Sequence, residues 1–172
     1  YLFSAHMVQH VMLTLVAPPL LIVGTPDWLL RPLLRPNAVF RLARISTHPV
    51  VAFALFNVIF SMWHVPSLYN LSVTIHAVHI GEHLLFMATA MLMWWPIAST
   101  MPELPKMSPP VAMLYLFGLS LGQIILFGAL VFATEPLYEF YVNAPRISLL
   151  TPLTDQQIGA VIMKIGGGVL FL

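Results

Sequence analysis

The sequence predicts an all-α fold, a polytopic transmembrane helical bundle with five spans in this segment. Three observations carry that prediction. Hydrophobic residues make up 59% of the chain and charged residues only 8%, where a soluble domain carries roughly a quarter charged residues. The apolar residues run in long stretches rather than alternating, which argues for helices and against a barrel. The basic residues collect on one side of those stretches, as cytoplasmic loops do.

The five stretches are about Leu2–Val23, Pro49–Trp63, Ala77–Ile97, Val111–Ala133 and Ile158–Leu172, set against the roughly 20 residues a helix needs to cross a bilayer. The second is short, and the fifth runs to the last residue. Pro18 and Pro19 are expected to bend or finish the first helix. Between the first two stretches lie Arg31, Arg35, Arg41 and Arg44, and after the third lies Lys106. Only Arg146 answers them on the opposite side, so the arginine loop is expected in the cytoplasm. Leu33, Leu34, Phe40, Leu42 and Ile45 alternate with these arginines and permit a short helix lying on the inner surface. Gly118 and Gly122 form a small-xxx-small pair suited to close helix packing. Gly166, Gly167 and Gly168 mean close approach or a break. Residues 1–172 read as a single transmembrane domain, expected to be truncated at both ends, because the chain opens without a leader and stops inside an apolar run.

A net charge of +1 without a basic stripe gives no case for nucleic acid. The absence of cysteine excludes thiolate metal sites, so a metal must use imidazole, carboxylate or thioether.

Seven histidines stand among only seven basic and six acidic residues, and imidazole is costly among lipid tails without a task. A rise of about 1.5 Å per residue puts His10 and His83 both roughly 10 Å below the outer surface. His64 closes the second stretch at that side, and Asp155, Gln156 and Gln157 open the last. His48 alone falls at the inner end. His6 and His10 share one helix face, and His76, His79 and His83 share an arc with Glu82 beside them. Imidazole pairs at i, i+4 suit copper or zinc. The candidate metal residues are therefore His6, His10, His64, His76, His79, His83, Glu82 and Asp155, with Met7, Met12 and Met62 as possible soft additions. For each histidine alone the plain reading is a ring bonded to a neighbouring helix, and most of the methionines are filler. Glu82 suits a ligand, an orienting partner or a proton carrier. Asp155 suits a helix start equally well, with Thr154 and Gln157 as a capping box. Trp63 to Tyr69 reads as an aromatic belt in which only His64 is a site candidate.

The segments HMVQHVMLTLVAPPLL, THPVVAFALF, WHVPSLY, HAVHIGEHLLFM followed by WWP, and PLTDQQIGAVIM together resemble the bacterial CtaG-type cytochrome c oxidase assembly family linked to caa-type oxidases. That resemblance implies a seven-span protein of the bacterial plasma membrane. It implies a role in maturing the oxidase, with copper passed to the subunit carrying the haem-copper centre. The matching polar positions are His6, His10, His64, His76, His79, Glu82, His83, Asp155 and Gln156. Lys164 departs from the aromatic residue expected there. Both lines of reading lead to an outward-opening histidine layer, loosened by protonation below about pH 6.5, in a protein that is not an enzyme.

Four alternatives stay open, a purely structural subunit being the plainest of them. His79-Ile80-Gly81-Glu82-His83 matches the order of inverted zinc peptidases, with Glu82 activating water. His10 and His83 suit haem as axial ligands. The Gly triplet and Pro pair hint faintly at a transporter.

Overall fold

The computed structural model describes residues 2–145 and 149–171, with side chains to residue 169. Arg146, the only basic residue expected opposite the arginine loop, lies outside the described residues. All regular structure among the described residues is helical. We number the helices α1 Phe3–Gly24, α2 Asp27–Leu30, α3 Asn37–Ser46, α4 Pro49–Trp63, α5 Pro66–Thr74, α6 His76–Ala98, α7 Pro109–Val131, α8 Glu139–Asn143 and α9 Pro152–Phe171.

Three of them, α1, α6 and α7, are long and apolar enough to cross a membrane, or four spans if α3 and α4, bent by 72° at their junction, count as one. This corrects the expectation of five. The last stretch does form a helix, but it begins earlier, at Pro152, and takes Thr154, Asp155, Gln156, Gln157 and Lys164 into its length. Those polar residues lower its apolar content below that of a membrane span. Lys164 donates to the carbonyl and hydroxyl oxygens of Ser120 on α7, which satisfies an amine that lipid would not.

Pro18 and Pro19 lie within α1 without ending it. Each lacks the N–H that would bond four residues back, and the helix absorbs the loss as one π-helical turn, Met12–Val16. The Thr14 carbonyl freed by Pro18 instead accepts the Trp94 indole N–H at 2.9 Å. This ties α1 to α6 on the level just inside the histidines.

α1 packs against α6 on one side and α9 on the other. The α1–α9 approach requires glycine: a Cβ at Gly159 would lie 2.4 Å from the Phe3 ring. Gly122 faces Asn57 of α4 and Gly118 faces Phe53, so the small-xxx-small pair does serve the α4–α7 contact. The Gly triplet makes no break. α9 runs through it, with Gly166 against Val11. The short helix that the sequence permits between the arginines does form, as α3, with Val39, Leu42 and Ile45 exposed beside exposed Arg41 and Arg44.

A candidate metal centre between α1 and α6

α1 and α6 bring four histidines together. His6 and His10 project from α1, His79 and His83 from α6, each pair one turn apart on its own face. The Nε2 atom of His6 lies 3.3 Å from that of His83 and 3.2 Å from that of His79. A tetrahedral ion with metal–nitrogen bonds of about 2.0–2.1 Å holds its ligand nitrogens about 3.3–3.4 Å apart. The ring nitrogens thus already stand at the spacing of a metal's coordination sphere. His6, His10 and His83 each offer one ligand nitrogen, all within 4.8 Å of one another.

His10 adds a second sign. Its ring is fully buried, and neither nitrogen has a hydrogen-bond partner. A buried polar group without a partner costs about 1–3 kcal/mol, so such a group asks for an occupant. His64, at the end of α4, packs 5.6 Å from His10 between ring centroids. Its Nδ1–H donates to the Phe60 carbonyl at 2.7 Å. A carbonyl only accepts, so Nε2 carries the lone pair, and Nε2 is buried without a partner.

Two tyrosines that the aromatic-belt reading passed over complete the surroundings. Tyr69 from α5 places its hydroxyl 2.7 Å from His6 Nδ1, Tyr141 from α8 lies 3.1 Å from the same atom, and the two hydroxyls are 3.0 Å apart. Burial is the main cause that raises both phenols, Tyr141 to about 12 and Tyr69 well above its usual range, so both stay neutral. A phenol oxygen accepts the Nδ1–H that His6 must carry when Nε2 binds an ion, the usual outer partner of a metal-bound imidazole. Tyr69 is signalled by its place in the WHVPSLY segment. Nothing in the sequence around Tyr141 marks it.

The remaining candidates lie elsewhere. His76 is exposed, one turn before His79 at the start of α6. Glu82 is fully buried and accepts the Ser72 hydroxyl proton on α5, its other oxygen unpartnered. Among the described residues it bonds no histidine and stands outside the group of converging ligand atoms, which does not favour the water-activating reading. Asp155 accepts the backbone N–H groups of Phe3 at 2.6 Å and Ser4 at 3.2 Å, and the Ser4 hydroxyl. It therefore caps α1 from a helix 150 residues away in sequence. The expected capping box does not form: Thr151, not Thr154, accepts at the start of α9, and Gln157 donates to the carbonyls of Val131 and Ala133. Met7 packs at Gly159, and Met12 and Met62 are exposed, so no thioether joins the rings. His48 borders a cavity of about 620 Å³ with Arg44 and Glu103, at the arginine end. The His10 and His83 centroids stand only 5.2 Å apart, with His6 4.4 Å from His10. That packing leaves no slot for a porphyrin.

A family model described as cytochrome c oxidase caa3 assembly factor matches residues 1–172, the whole chain. No curated protein and no solved structure matches it.

Proposed function

The chain belongs to the cytochrome c oxidase caa3 assembly factor family, and from that premise we propose that it holds copper on His6, His10 and His83 and helps pass it to the oxidase subunit carrying the haem-copper centre. The observation that carries this reading is the convergence of those three ligand nitrogens within 4.8 Å, one of the rings fully buried and unpartnered. His79, half-buried at 3.2 Å from His6, is the outer ligand through which an ion arrives and leaves. The role is non-enzymatic: the site binds and releases, and Tyr69 and Tyr141 allow both. A phenol hydroxyl turns from donor to acceptor without moving its oxygen, so His6 changes tautomer in place as the ion comes and goes.

The charge set suits copper above magnesium or calcium, which require oxygen ligands. The histidines open to the outer face and the arginine-bearing α2–α3 segment faces the cytoplasm, on the positive-inside argument. Single cysteines introduced near Arg41 into this cysteine-free chain test the orientation, and labelling from outside would reverse it.

The test of the copper reading is metal content and visible spectrum of detergent-purified protein after equal exposure to Cu(I) and Zn(II). One bound copper in the wild type, absent from His10→Ala/His83→Ala, is the expected result. Bound zinc in place of copper, a Soret band, or no metal in folded wild type would each overturn it.

A further inference from the structure

His64 is left unused by the centre just described, and its ligand nitrogen is already prepared. We infer a second, inner station for the copper, a two-coordinate Cu(I) held between His10 and His64. The inference rests on the copper-handling reading above.

Geometry supplies the first argument. The Nδ1–H of His64 is spent on the Phe60 carbonyl, which leaves the lone pair on Nε2, a buried atom without a hydrogen-bond partner. The backbone that carries this ring is pinned as well, since the Tyr138 hydroxyl donates to the His64 carbonyl at 2.9 Å. The neighbouring His10 ring has both nitrogens buried and unpartnered. Their centroids are 5.6 Å apart and the planes nearly perpendicular, at 80°. Two metal–nitrogen bonds of about 2.0 Å bring imidazole centroids to about 6 Å, close to the separation of this pair.

The surroundings choose the charge. Phe86 stands edge-on to His10 at 5.0 Å and stacks on His64 at 6.0 Å, and Phe60 lies 4.4 Å from His64. Among the described residues no carboxylate bonds either ring. The cost of burying an ion grows with the square of its charge. Two neutral imidazoles in an aromatic lining therefore suit a monovalent soft ion and reject Zn(II) and Cu(II).

His10 also belongs to the outer set, and a neutral imidazole binds through one nitrogen only. The two stations exclude each other, and one ion moves between them by exchanging His6 and His83 for His64. The outer station is open at His79. The inner one is wholly buried, and it holds the ion away from water.

The experiment loads the full chain, in detergent, with one equivalent of Cu(I) and reads stoichiometry, competition against a Cu(I) chelator and X-ray absorption. His6→Ala/His83→Ala disables the outer station alone. It should still bind one Cu(I), now with two nitrogen ligands, and His64→Ala added to it should abolish binding. His64→Ala by itself should keep one ion with three nitrogen ligands, which also reports that it folds. Wild-type binding that is unchanged in coordination and affinity by His64→Ala, together with no binding in His6→Ala/His83→Ala, would overturn the inner station and leave the outer one standing. Failure of the wild type to bind copper would instead remove the copper reading itself.

Discussion

His6 and His83 meet with their Nε2 atoms 3.3 Å apart, one from the first helix and one from the sixth. Two neutral imidazoles at this distance share at most one proton, and an ion replaces that proton. Removing either ring should therefore weaken the outer site more than removing His79, which lies nearer solvent. His6→Ala is expected to lower Cu(I) affinity at least about 100-fold and His79→Ala about 10-fold, because His79 joins the ion only as it arrives and leaves. Chelator competition measures both, and equal losses would contradict the assigned order.

Tyr69→Phe removes the closer of the two hydroxyls on His6 Nδ1. The expected loss is about 10-fold in affinity, the lower end for outer partners of a metal-bound histidine. Tyr69→Phe/Tyr141→Phe should lose about 100-fold, because Nδ1–H then has no acceptor. If the double variant binds as tightly as the wild type, the phenols do not orient the ring.

Metal affinity should fall steadily as the solution is acidified. Imidazole binds an ion only when deprotonated, so protons and copper compete for the same nitrogens. Stability of the complex is present at high pH and lost as pH falls, the log affinity approaching a slope of three per pH unit for three ligands. Chelator competition followed from pH 8 down to the lowest pH at which the protein stays folded reads this directly. Affinity that shows no fall at any pH before unfolding would contradict imidazole ligation.

Asp155→Ala should destabilise the fold without altering metal stoichiometry. Its carboxylate accepts three hydrogen bonds at the start of α1, and bonds to a charged group are worth about 1.5–3 kcal/mol each. The buried Phe3 N–H is then left alone. A thermal midpoint several degrees lower, with one copper still bound, is the expected outcome. Lost copper in a protein of unchanged midpoint would place Asp155 at the metal.

Gly159→Ala and Gly81→Ala form a matched pair. A Cβ at Gly159 meets the Phe3 ring at 2.4 Å, whereas one at Gly81 meets nothing within 4 Å. The first should cost about 1–3 kcal/mol by overpacking. The second should gain about 0.5–1 kcal/mol from the reduced freedom of the unfolded chain. Thermal unfolding in one detergent compares the two, and equal shifts would mean that α1 and α9 do not meet there.

Depth was legible in the sequence and direction across helices was not. Counting residues from the loop ends puts His6, His10, His64, His76, His79 and His83 in one layer, because helix rise is constant, although His76 proves exposed. Which rings face one another depends on helix rotation, and rotation is set by contacts such as Gly159 against Phe3. Asp155 sits at the same level as the rings and still caps α1 instead. Tyr141 lies in a short helix between longer ones, where no periodicity points to it. The last span was overcounted because its apolar end is conspicuous, and the polar residues at 154–157 prove to be inside the helix.

The π-helical turn at Met12–Val16 works as a phase shifter. It inserts one extra residue into the helical count, which turns everything before it by about 100° relative to everything after it. Replacing Pro18 and Pro19 by residues that restore the two missing hydrogen bonds would let that residue be reabsorbed. The Arg-side half of α1 would stay seated on α6, while His6 and His10 swung away from His79 and His83. The aim of the histidine pair is thus governed by two prolines some eight residues further along the chain, which touch none of the rings.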